Sequence, residues 1–256
     1  MTHPAIGVLV TRAAQQAPPL ASALKACGAS VFLLPAIEPV GYELEATHPA
    51  LAPSNHFASI IFVSVNAVRF GAHLCDGQQS ARVISMGPAT SAALKQAGIP
   101  NTVLANPGSD SEALLQSPDL SHVDGARILI VKGMGGRALL GDRLRERGAT
   151  VIYADVYERQ RANPSPHTIA TIEDHWRQGN ISVVTATSGD VLRRLNEILS
   201  PTGRQYLSHT ALLVSSARVG ALARDQGLLG PLIIASQPDD AGLVAAFKRW
   251  QIQSAC

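Results

Sequence analysis

With 256 residues the chain is long enough for one or two domains, and a chain of this size buries roughly three quarters of its unfolded surface without a disulfide or metal staple. A formal net charge of +2 with no Lys/Arg block leaves no electrostatic footprint for nucleic acid, and no apolar stretch approaches the roughly 20 residues of a membrane span. The three cysteines, Cys27, Cys75 and Cys256, are odd in number and lack CxxC spacing, which predicts a reducing, cytoplasmic setting and no zinc site.

Short β-branched or Leu-rich runs bounded by turn residues read as buried parallel strands alternating with helices. A strand near 6–10 precedes a helix near 14–27 and a strand near 30–34. Strands near 58–63, 82–85 and 102–105 then alternate with helices near 65–75, 88–97 and 110–116. The second half runs strand 127–131, helix 136–147, strand 150–156, helix 167–178, strand 181–185 and helix 189–199. It ends on strand 211–214, helix 217–226, strand 232–235 and helix 240–252. Gly28, Gly98, Gly148 and Gly227 follow helices where a C′ glycine belongs.

These elements occur twice. The stretch Gly7–Pro35 lines up with Ile128–Asp155, IIFVSVNAV with TATSGDVL so that Ser64 stands opposite Ser188, and VISMGPATSAAL with LLVSSARVGAL. A period of roughly 120 to 130 residues is too long for a solenoid unit. The expected architecture is therefore α/β: two similar doubly wound parallel-sheet domains with a cleft between them. Read from the repeat alone, the division falls near Asp124. Two segments, Pro35–Glu45 and Tyr153–Pro166, run past their strands with alternating apolar residues and prolines; paired with each other they would form a two-stranded β connector.

Ligands of open parallel sheets bind at the carboxyl ends of the strands. The residues there are rich in hydroxyls, glycine and helix-capping types: Thr11, Arg12, Ser64, Asn66, Gly87, Thr90, Gly133, Arg137, Ser188, Ser215 and Ser216. Amides at helix N-termini joined by Ser/Thr hydroxyls bind carboxylates or phosphates, although each hydroxyl is also explained by capping its own helix. The turn VKGMGGRA matches GxGxxA after a strand, with Asp155 near the end of the next, the spacing of a dinucleotide fingerprint. Its sister turn TRAAQQA carries no glycine, which argues against an NAD site. The eight histidines are scattered without ligand spacing, and neither GxSxG nor GxxxxGK[ST] occurs. On the residues alone, a two-lobed small-anion-binding or regulatory module and an NAD(P)-dependent oxidoreductase stay open beside an enzyme whose difficulty is geometric.

Taken in order, VTR, FVSVNAV, MGPATSAAL, SDSEALL, VKGMGGR, RGATV with VYER, ATSGD and SSARVGALARDQGL resemble the uroporphyrinogen-III synthase family over essentially the whole chain. Val63, where Thr is usual, and Met134, where an acidic residue is common, depart from its pattern. The resemblance implies a discontinuous domain of 1–36 plus 165–256, a second of 44–152, and connector strands 37–43 and 153–164. It implies a cytoplasmic lyase of haem and sirohaem biosynthesis that dehydrates the linear tetrapyrrole hydroxymethylbilane and closes it with ring D inverted. It further implies no cofactor, no metal, a monomer, and an open question of transient contact with the enzyme that makes the bilane. Tyr157, which matches the tyrosine of the family's VY motif, becomes the catalytic candidate as donor to the departing hydroxyl, and the strand-end residues become candidate binders of the carboxylates.

Overall fold

In the computed structural model, residues 5–52, 56–99, 102–104, 111–135 and 138–254 are described. Strand β1 (Gly7–Val10) leads through a 3-10 turn into α1 (Ala17–Ala26), β2 (Ser30–Leu33) and β3 (Ile37–Gly41). Next come β4 (Ser59–Phe62), α2 (Val65–Gly71), β5 (Arg82–Ser85), α3 (Pro88–Gln96), β6 (Thr102–Leu104) and α4 (Ser111–Leu115). Then follow β7 (Arg127–Gly133), α5 (Leu139–Glu146), β8 (Thr150–Arg161), α6 (Pro166–Arg177), β9 (Val183–Ala186) and α7 (Gly189–Ile198). The chain closes with α8 (Pro201–His209), β10 (Ala211–Val214), α9 (Ala217–Asp225), β11 (Leu232–Ile234) and α10 (Asp240–Ser254).

The strands form two sheets, ordered β11-β10-β9-β1-β2 and β3-β8-β7-β4-β5-β6. The paired strands β1, β2 and β9 to β11, and likewise β4 to β8, run parallel. The fold is α/β, as expected. Both sheets follow one plan once the repeat is taken into account: β2-β1-β9-β10-β11 in one and β8-β7-β4-β5-β6 in the other. Each sheet thus takes its first βαβ unit from one repeat and its remaining three parallel strands from the other. The chain accordingly divides into compact units of 1–38 with 160–256 and of 39–159, and a cut near Asp124 would separate strands that share a sheet.

Strands β1, β4, β9 and β10 are buried along their whole length, as helices on both faces require. In the first unit, Val8, Val10 and Leu213 face α1 and α10, while Leu9, Val184 and Leu212 face the cluster built from α6 to α9. In the second, Ile60, Phe62 and Val131 face α2 and α3, and Ile61, Ile84 and Ile130 face α4 and α5.

Three elements differ from expectation. The short, polar PTGRQYLSH predicts a loop, yet it forms helix α8: Ser200 caps it through Gly203 N–H at 3.1 Å and Pro201 supplies a pre-set first turn. The expected pairing of Pro35–Glu45 with Tyr153–Pro166 forms, as β3 against β8, but because β8 also belongs to the second sheet that sheet has six strands instead of five. Tyr42 N–H donates to Val156 O at 2.8 Å and Ala162 N–H to Ala36 O at 3.1 Å, so the two strands run antiparallel, and β8 is one continuous twelve-residue strand. The first helix starts at Ala17 because a 3-10 turn occupies 14–16.

Candidate functional site

Three serines that follow strands adopt one conformation. Ser64, Ser188 and Ser216 have φ/ψ of −164/164, −159/162 and −165/161, and each Oγ accepts the N–H three residues on, from Ala67, Val191 and Val219. They are the N-caps of α2, α7 and α9, each satisfying one of the donors a helix start leaves unpaired. The fourth member of the set is Gly87, the N-cap of α3, whose φ of 127° is a conformation that side chains rarely adopt. Asn66 and Thr90 are buried in the first turns of α2 and α3. Arg137 lies outside the described residues.

In an open sheet ordered 2-1-3-4-5 the strand order reverses between the first and third strands, and ligands collect at that point. In the first unit this is the gap between β1 and β9, and it is closed. Thr11 Oγ1 donates to Thr185 O at 2.5 Å and Thr11 N–H to Thr185 Oγ1 at 3.2 Å, with both residues buried. Ser215 Oγ donates to Thr187 O at 2.9 Å beside it. Arg12 Nη1 meets Asp240 Oδ1 at 2.6 Å, so its guanidinium is paired with the start of α10.

In the second unit the equivalent point, between β7 and β4, opens into a cavity of about 290 Å³. Val63 and Ser64 from the end of β4, Met86 after β5, Lys132 to Gly135 from β7, and Tyr153, Tyr157 and Arg159 from β8 line it. Of the strand-end residues singled out in the sequence, Ser64, Gly133 and Tyr157 come together here. Tyr157 is buried, its Oη lies 3.2 Å from Ser64 Oγ, and its ring stacks on Phe70 with centroids 5.9 Å apart.

Lys132, Tyr153, Met86 and Arg159 were not anticipated. Lys132 Nζ donates to Gly133 O at 3.1 Å and Gly135 O at 2.9 Å and lies 5.4 Å from the Tyr153 ring centroid. Asp155 Oδ1 lies 2.8 Å from this ammonium without an aligned hydrogen bond, which leaves the pair Coulombic. Its sequence signal was a single cation closing an otherwise apolar strand, ILIVK. Among the described lining residues two are cationic and none is acidic, a surrounding suited to carboxylates. The glycine turn does not serve a dinucleotide: Gly133 ends β7 and α5 begins only at Leu139, whereas the fingerprint needs its helix to open at the glycines. Among the described residues no group of three or more His, Cys, Asp or Glu is placed to hold a metal, and no helix is long and apolar enough to cross a membrane.

The chain is 32% identical over 251 residues to the uroporphyrinogen-III synthase of Salmonella typhimurium, and 29% identical over 250 residues to that of Escherichia coli; each alignment covers 95% of this chain and 100% of the relative. The crystal structure of uroporphyrinogen-III synthetase from Helicobacter pylori shares its fold with a TM-score of 0.61 at 14% identity, covering 96% of this chain and 99% of the other. A mutant uroporphyrinogen III synthase from Thermus thermophilus gives a TM-score of 0.52 at 17% identity, covering 97% and 100%. The model of the family described as uroporphyrinogen-III synthase HemD matches residues 18–245. Sequence, fold and the matched span agree that the chain belongs to the uroporphyrinogen-III synthase family.

Proposed function

We propose that the chain dehydrates hydroxymethylbilane and closes it to uroporphyrinogen III with ring D inverted, and that Tyr157 is the proton donor. The carrying observation is the buried phenol held against Ser64 at the edge of the cavity at the second unit's switch point. Ser64 Oγ accepts from Ala67 N–H at 3.1 Å, so its own proton can go to Tyr157 Oη. That arrangement leaves the phenol proton for the substrate, and a hydrogen-bond chain of this kind polarises each member.

The reaction then follows from charge and position. The C–O bond of the ring A hydroxymethyl group breaks as its oxygen takes the Tyr157 proton and leaves as water. The remaining azafulvene cation is attacked by the substituted carbon of ring D, giving a spiro intermediate. The bond from that carbon to its original methylene bridge then breaks, the azafulvene so formed on ring C is attacked by the unsubstituted α carbon of ring D, and the proton lost there as the pyrrole reforms goes to the Tyr157 phenolate. Lys132 and Arg159 complement substrate carboxylates without competing for the departing hydroxyl. Because the bilane closes unaided to the uninverted isomer, steering counts as much as rate, and held near-attack geometry contributes several kcal/mol.

The strand-end residues of the first unit, Ser188 and Ser216 with their helix amides, are kept in this reading as secondary carboxylate contacts. So is the functional division into 1–36 with 165–256 and 44–152, with 37–43 and 153–164 as connector. The reading also takes the enzyme as a cytoplasmic monomer that receives its substrate from the enzyme producing it. Supplying freshly made hydroxymethylbilane and separating the oxidised porphyrins by isomer tests the activity. Type III product is expected; only type I, as buffer alone yields, would overturn the assignment.

A further inference from the structure

Side chains on a regular strand alternate faces, and β8 obeys this at first. Val151 and Tyr153 join the cluster under α4 and α5, while Ile152, Ala154 and Val156 join the cluster under α2 and α3. Continued alternation would send Tyr157 toward α5 with Tyr153. It lies instead in the α2 cluster, on the same face as its neighbour Val156. The register explains the break: Lys132 pairs with Asp155, but Gly133 pairs with Tyr157, so Val156 is an extra residue and the strand bulges there. A bulge re-aims the side chain that follows it, and a slip of one residue exchanges the faces.

Two contacts hold the re-aimed ring. Phe70 stacks on it at an interplanar angle of 28°. It also rests against the bare Cα of Gly133, where an added Cβ would lie 2.5 Å from the ring's Cζ. Met134 N–H donates to Tyr157 O at 2.7 Å and pins the far side of the bulge. The φ of Gly133 is outside the left-handed region, so alanine there meets no backbone strain and its effect falls on the ring of Tyr157.

We propose that the Val156 bulge and Gly133 together aim the Tyr157 phenol at the cavity, which makes Gly133 a positioning residue and not a contact for substrate. The proposal rests on the reading of Tyr157 as proton donor. It is tested by steady-state kinetics of Gly133→Ala, Tyr157→Phe and the double variant. Fluorine NMR of protein labelled with 3-fluorotyrosine accompanies the kinetics; the signal missing in Tyr157→Phe identifies Tyr157 among the four tyrosines. We expect Gly133→Ala to lower kcat by about 10²-fold, the scale of an ångström-level misplacement, with KM within about twofold. It should add little to the loss already present in Tyr157→Phe, and it should move the Tyr157 fluorine signal.

Wild-type kcat in Gly133→Ala, or a loss that multiplies in full with that of Tyr157→Phe, overturns the proposal. If Tyr157→Phe itself turns over like the wild type, the proton-donor reading falls, and the fluorine signal alone decides the aiming: moved upholds it, unmoved refutes it. Should Gly133→Ala not fold, Phe70→Leu, which removes the ring stacked on Tyr157, carries the same three comparisons.

Discussion

The two units apply one plan to their switch points and arrive at opposite results. By the repeat, Thr11 corresponds to Lys132 and Thr185 to Ile61. In the first unit the two threonines hydrogen-bond across the gap and shut it. In the second, Ile61 has no hydroxyl to offer, the Lys132 ammonium turns onto the carbonyls of Gly133 and Gly135, and a cavity with a phenol at its edge lies beside them. The two repeats give equivalent rims, and their side chains clasp one with hydrogen bonds and leave an opening at the other.

The sharpest way to break this contrast is at the phenol. Tyr157→Phe should lower turnover by about 10²-fold or more, the usual scale of general-acid assistance, with an unchanged circular dichroism spectrum and thermal midpoint. Thr11→Val attacks the closed rim: it leaves the Thr185 carbonyl without its donor and should cost about 1–3 kcal/mol of stability in urea unfolding. Its turnover should stay within about twofold of wild type, since losses of transition-state binding appear in kcat; a large fall in kcat would give the Thr11 clasp itself a part in the chemistry. The capping serines compare the units directly. Ser188→Ala and Ser64→Ala should each cost about 1 kcal/mol of stability, but only Ser64→Ala should also lower kcat, because only its hydroxyl meets Tyr157; as a secondary carboxylate contact Ser188 should act on KM alone.

The smallest effect concerns Cys75, whose thiol is pushed up to about 11 by burial first and by Asp76 second. Its folded value lies above the unfolded one of 9.0, so between those values the unfolded chain releases a proton that the native one keeps. Its contribution is therefore complete below pH 9 and is lost as pH rises toward 11. Alkylation of native protein at pH 8 should be slow at this residue and fast after unfolding.

Much of this was readable in the chain. The strand–serine–helix pattern located Ser64, Ser188 and Ser216 because capping is local chemistry, and the VY motif placed Tyr157 through family resemblance. What stayed hidden depends on partners distant in sequence. That Thr11 faces Thr185 follows only from β1 pairing with β9. The direction of Tyr157 was illegible for a sharper reason, since alternation along β8 predicts the opposite face and the extra residue shows only against β7. Lys132 looked like the polar end of a strand until the turn folded its carbonyls around it. Helix α8 was lost to composition, being short and polar, whereas the alternating apolar residues of Pro35–Glu45 announced β3 despite its proline.

The exchange of strands between repeats also sets a timetable for synthesis. Strand β2 ends at Leu33, whereas β9, which completes the sheet beside β1, begins at Val183. At about 5–20 residues per second the ribosome needs on the order of ten seconds to span that gap. Throughout it the first βαβ unit waits with apolar faces uncovered, while residues 39–159 already have every strand of their own sheet to hand. The nascent chain should therefore fold from its middle outward, and its earliest segment is the one most in need of a chaperone.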